Sequence, residues 1–360
     1  MRTIRTFSGG NVARSALVIL LLIFGVGVAS VILPSSSAGA SSARATTSHY
    51  EDSTNVGVLN AQGRAAGESG SQGLAILDFG RPAANGPVFG TVNFRGDFES
   101  FRAIEVSTES YIRGYFATAP SHFQLNVAIG TNDSCGTGQP CGGIRCGCEF
   151  EPTSFAAWGA QQAIAVEKVQ SQTTSLKIVS GYTDTVTIMA GDDAEPAFDP
   201  GYRNTFDLMA GYSHAVDGYL PAMVDYGSAA PGFWSNSQLL QIANGFLPNL
   251  AVPEIYSGAD AKTWASLASY AKAAGTPLTI FGVLTATPAG SGFQTGPGDM
   301  VNALLPITGQ SSLQWFSNID PSVVGMAAAR IRADLPTGRV RRQRGRPGKC
   351  RWNLSRCAQH

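Results

Sequence analysis

The sequence predicts an α/β fold, a (β/α) TIM-like barrel of seven or eight parallel strands, and three observations predict it. Short apolar, β-branched runs alternate with helical patterns from Gly73 onward. Several of these runs end in acidic or aromatic residues, as strands do when their carboxyl ends converge on one mouth. Seven or eight strand–helix units within about 250 residues suit a closed barrel. A doubly wound open sheet is the runner-up, but no Gly-rich phosphate loop follows the first strand.

The chain opens on an export signal or an N-terminal membrane anchor, residues 1–40. Arg2, Arg5 and Arg14 form a basic start, and Ala16–Leu33 is apolar apart from glycines and Ser30. Pro34 and three serines then lead to Ala38-Gly39-Ala40, a small-x-small cleavage pattern. The run of 18 residues is long for a signal core and just long enough to span a bilayer. Cleavage after Ala40 and retention as a transmembrane helix both stay open. Either places the body outside the cytoplasmic membrane, secreted or at the cell surface. Residues 41–72 are rich in Ser, Ala, Gly and Thr without periodicity and read as a flexible linker.

The barrel is expected over residues 73–320. Its strand candidates are Leu74–Phe79, Phe123–Gly130, Thr185–Gly191, Ala222–Tyr226, Leu250–Tyr256, Leu278–Leu284 and Leu313–Phe316, with Val88–Phe94 as a weaker eighth. Between them, Thr108–Ala119 reads as a helix stopped by Pro120, and Phe155–Gln172 carries a helical apolar pattern. Asp199-Pro200 offers an N-cap and a first-turn proline for a helix over Tyr202–Val216. Ser235 can cap Gln238–Phe246, Ala259–Ala274 ends at the C-cap glycine Gly275, and Asp299 can cap Met300–Leu305.

Composition supports a large folded body: 44% hydrophobic, 14% charged and 42 glycines. The formal net charge of zero conceals an asymmetry. Residues 41–329 hold 24 acidic and 12 basic side chains, whereas residues 330–360 hold 10 basic and one acidic. An acidic body disfavours a nucleic-acid partner. The basic stretch 330–360 lacks a core pattern and reads as a disordered tail. Six cysteines fit an oxidising compartment. Cys135, Cys141, Cys146 and Cys148 crowd one Gly-rich loop and are expected to form two disulfides of undetermined pairing. Cys146-Gly147-Cys148 is too tight for the usual paired-Cys zinc spacing, so no metal is expected there.

The most telling stretch is Val186–Pro196, where an apolar run ends in Asp192, Asp193 and Glu195. In a strand, residues two apart share a side, so Asp193 and Glu195 point together and Asp192 points away. Two acids on one side repel, which raises one pKa and leaves the other ionised, the asymmetry a glycosidase needs. Other strand ends supply Asp78, Asp225 with Tyr226, Glu254 with Tyr256, and Trp315. Together they predict an acidic cup of Asp78, Asp193, Glu195, Asp225 and Glu254 walled by Tyr226, Tyr256 and Trp315. Such a cup suits a sugar ring, apolar on its faces and hydroxylated at its edges. Taken singly, each acid is better explained as a helix cap or an arginine partner; five at five strand ends are harder to explain that way.

An aspartate ending the first strand, an Asp-x-Glu pair on a middle strand, a following strand ending in Asp-Tyr and a late Trp together resemble family 25 glycoside hydrolases, lysozyme-type muramidases with a (β/α) barrel. The chain also looks like the secreted glycoside-hydrolase-like barrel proteins of actinobacteria. The resemblance implies that Glu195 is the proton donor, Asp193 its partner carboxylate, and Asp78 a neighbour of the pair. Asp192, which makes the pair a triple, Pro196 directly after the glutamate, and the Cys-rich loop depart from that pattern.

Other chemistries find little support. The four histidines, His49, His122, His214 and His360, do not sit at expected strand ends with partners, and no Gly-x-Ser-x-Gly elbow is present. Calcium binding by Asp192, Asp193 and Glu195 lacks EF-hand spacing. No cofactor is expected. Three readings follow: an exported hydrolase of peptidoglycan or a related polysaccharide, a non-catalytic carbohydrate- or cell-wall-binding barrel, and a structural surface protein. The partner in the first two is a cell-envelope glycan; a membrane enters only through the N-terminal segment.

Overall fold

A computed structural model describes residues 46–132, 152–196, 202–216, 221–229, 232–246, 248–286 and 295–320. The chain folds as a (β/α) TIM-like barrel. Its eight barrel strands are β1 (Thr46–Tyr50), β2 (Gly73–Asp78), β6 (Gln124–Gly130), β7 (Thr185–Asp192), β8 (Met223–Asp225), β9 (Asn249–Ala251), β10 (Gly282–Ala286) and β11 (Trp315–Ile319). All neighbouring pairs are parallel, in the order β10-β11-β1-β2-β6-β7-β8-β9. The two ends meet through isolated parallel bridges, Ala251 with Ile280 and Glu254 with Leu284, leaving a nearly closed ring. The helices that cover it are α1 (Val56–Glu68), α2 (Phe101–Thr118), α3 (Phe155–Ser180), α4 (Arg203–Ala215), α5 (Asn236–Asn244), α6 (Gly258–Ala273) and α7 (Thr295–Thr308).

Alternation along the strands sorts two apolar layers. Leu74, Ile76, Met189, Val224, Val252 and Leu284 fill the barrel interior. Ala75, Leu77, Val127, Ile188 and Met223 face the helices in the larger outer cluster. This two-sided burial is why the strands read as unbroken apolar runs.

The barrel already includes a strand at Thr46–Tyr50, ahead of Gly73, which corrects the linker reading over residues 46–72. β1 escapes a hydropathy reading because its inward residues are polar. Ser48 Oγ accepts from Ile76 N at 2.9 Å and lies 2.7 Å from Ser317 Oγ, and Thr46 Oγ1 donates to the Leu74 carbonyl. α1 is poor in large apolar residues for a different reason. It packs against α2 backbone to backbone: a Cβ on Gly63 would stand 1.9 Å from the Tyr111 carbonyl oxygen, and one on Gly114 2.2 Å from that of Asn60. Asn55 caps α1 by accepting from Gly57 N and Val58 N.

The eighth strand expected at Val88–Phe94 is outside the barrel. Arg81–Asn85 (β3), Val88–Val92 (β4) and Phe98–Ser100 (β5) form a separate antiparallel sheet inserted between β2 and α2. Trp158 of α3 donates from Nε1 to the Gly90 carbonyl at 2.6 Å and ties the insertion to the helical layer. α2 starts seven residues ahead of the expected Thr108, capped by Ser100. α3 continues past Gln172 to Ser180: the Thr174 and Ser175 hydroxyls bond back to carbonyls four residues earlier, and Gly181 ends the helix at φ 69°. Ser235 caps α5 in a full capping box.

Residues 1–40, Asp199-Pro200, all six cysteines and residues 330–360 lie outside the described residues. Among the described residues, no helix is long and apolar enough to cross a membrane.

Candidate active site

Because all eight strands are parallel, their carboxyl ends share one mouth. β7 delivers Asp193 and Glu195 there, and the segment after β9 delivers Glu254. One carboxylate oxygen from each of the three lies within 4.8 Å of the others. The predicted same-side pair is therefore present, with Glu254 as a third member.

Hydroxyl groups from three segments of the chain donate to this group. Tyr50, the last residue of β1, donates from Oη to Glu254 Oε1 at 2.7 Å, and the Tyr256 hydroxyl also donates to Glu254. Ser228 Oγ donates to Glu195 Oε2 at 3.0 Å. Burial pushes both glutamates above the usual carboxylate range. For Glu195 the next cause is the negative charge of Glu254, which raises it further; for Glu254 the two tyrosine hydroxyls pull the other way. Both carboxyls are thus pushed toward their protonated forms, and the tyrosine hydroxyls oppose that push at Glu254.

Asp78 closes the floor. Burial raises it to about 7, held back by the Gly80 amide at 2.7 Å and by the Tyr226 hydroxyl. Tyr226 is wholly buried and spans the barrel below the mouth, its Oη donating to the Thr131 carbonyl at 2.9 Å and lying close to Asp78. The expected aromatic wall is in this case a floor. Tyr256 is 41% exposed and does line the mouth.

Three expected members stand elsewhere. Asp192 and Asp225 are register partners on β7 and β8, on the strand faces that carry Ala190 and Met223 toward the helices. Both are buried there, and burial raises Asp225 to about 7. The reason is the period of two: Asp193 and Tyr226 occupy the inward positions, so their predecessors turn outward. Trp315 is also displaced. It opens β11 instead of ending it and packs in the barrel interior at the amino-terminal end, its ring 3.6 Å from the Cβ position of Gly73, the first residue of β2. A strand that begins with Trp315 places that ring a full strand length from the acids.

Sequence reasoning missed Tyr50 and Ser228. The signal for Tyr50 was available: Tyr50-Glu51-Asp52 is an aromatic–acid strand ending like those that were recognised. It lay inside a stretch taken for linker.

Three carboxylate oxygens in this arrangement could also hold a hard divalent cation. Chemically, a buried carboxyl that keeps its proton beside an ionised one can donate to a leaving-group oxygen while its neighbour meets positive charge at carbon. No protein-family profile matches the chain, and no curated protein does.

Proposed function

We propose that this protein is an exported glycoside hydrolase of the cell envelope, acting on peptidoglycan or a related polysaccharide by a two-carboxylate mechanism. The observation that carries this reading is the convergence of Asp193, Glu195 and Glu254 at the barrel mouth, their oxygens within 4.8 Å of one another. Glu195 donates its proton to the glycosidic oxygen, and Asp193 serves as nucleophile or as stabiliser of the cationic sugar. Tyr256 offers an aromatic edge to a sugar ring at the mouth.

The test is incubation of the purified protein with peptidoglycan fragments and a panel of envelope polysaccharides, followed by measurement of new reducing ends. Cleavage lost in Glu195→Gln supports the reading. Binding of a glycan without cleavage replaces it with the carbohydrate-binding barrel.

A further inference from the structure

We infer that Glu254 is the nucleophile of this site, that Tyr50 and Tyr256 are its positioning residues, and that Asp193 is left as the charge stabiliser. The inference rests on the hydrolase reading and assigns the role which that reading leaves open.

Two catalytic carboxyls must flank the scissile bond. Asp193 and Glu195 leave the same strand end two residues apart, so they approach the mouth from one side. Glu254 leaves the β9 end, with β8 between it and β7, so it approaches the same acids from a different strand, one of its oxygens within 4.8 Å of one from Asp193 and one from Glu195. A nucleophile also needs a fixed, ionised oxygen. Glu254 Oε1 receives Tyr50 Oη at 2.7 Å, Tyr256 adds a second hydroxyl, and the residue is 7% exposed. Tyr50 is itself braced edge-on against Phe94, ring centres 5.1 Å apart. Glu195 receives the Ser228 hydroxyl at 3.0 Å and lies in the field of Glu254, which favours its protonated form.

The reaction then runs in two balanced halves. A Glu254 oxygen bonds to the anomeric carbon as the bond from that carbon to the glycosidic oxygen breaks, and this oxygen takes the Glu195 proton. Water next attacks the anomeric carbon of the glycosyl ester, giving one proton to the Glu195 carboxylate, and Glu254 leaves as carboxylate. The sugar departs with net retention.

The deciding experiment quenches the wild-type protein in acid while it turns over peptidoglycan fragments, digests it with pepsin and locates the glycosyl adduct by mass spectrometry. An adduct on the peptide holding Glu254 is expected. An adduct on the peptide holding Asp193, or inversion at the anomeric carbon, overturns the inference while leaving the hydrolase reading intact. Absence of cleavage removes both. Tyr50→Phe should shift the acidic limb of the kcat/KM profile to higher pH, a change that loss of packing alone does not produce.

Discussion

The ring of Tyr226 occupies the space that a side chain at Gly130 would need: a Cβ there would stand 2.6 Å from Tyr226 Oη, and 3.2 Å from the Asp78 Cα. The same ring comes within 2.9 Å of the Cβ position of Gly191. Two glycines on adjacent strands therefore make room for one phenol beneath the acids. Gly130→Ala should destabilise the fold by about 1–3 kcal/mol, the usual range for overpacking, read from urea unfolding. Wild-type stability in that variant would mean that the ring has somewhere else to go.

Glu195→Gln is expected to lower hydrolysis by about 10²–10⁴, the typical contribution of a general acid, with little loss of stability. The amide keeps the shape but cannot donate the proton, and one of several repelling acids is removed. Full activity on a glycan the wild type cleaves would move the proton-donor role to another residue.

Stability should fall as pH rises. Burial raises Glu51 to about 8, further supported by the charges of Asp52, Asp78 and Asp320, and it raises Asp78 and Asp225 to about 7. An acid whose folded pKa exceeds its unfolded value contributes stability fully present below the unfolded pKa, near 4, and lost as pH climbs through the folded one. Denaturation midpoints should thus decline between about pH 4 and pH 8. Glu51→Gln should flatten that decline, because one buried acid no longer has to ionise. A profile unchanged by the substitution would place the pH dependence on the other acids.

Trp315→Ala should cost about 3–5 kcal/mol, as for other large buried side chains. Calorimetry would show the drop. Since Trp315 packs at the amino-terminal end of the barrel, glycan affinity measured well below the melting range should stay at the wild-type value. A specific loss of affinity would return Trp315 to the cup.

Much of the fold was legible from local pattern alone. The apolar runs at Leu74, Val127, Ile188 and Leu284 are buried on both faces, so they announce themselves as strands of a covered parallel sheet. Asp193 and Glu195 were recognisable as a pair because strand period depends only on the backbone. Glu254 was recognisable as a strand-end acid, but its meeting with Glu195 was not.

What the sequence by itself determined is that its apolar runs become strands, its amphipathic stretches helices, and that acids gather at strand ends. Only the tertiary structure decided the rest. β1 becomes a strand because Thr46 and Ser48 find partners on β2 and β11, contacts far away in the chain. α1 becomes a helix against α2 through glycines whose value is the absence of a side chain. Tyr50 reaches Glu254 across 204 residues of sequence. Trp315 and Asp225 leave the site because strand register, fixed by pairing with neighbours, sets which residue comes last and which way it faces.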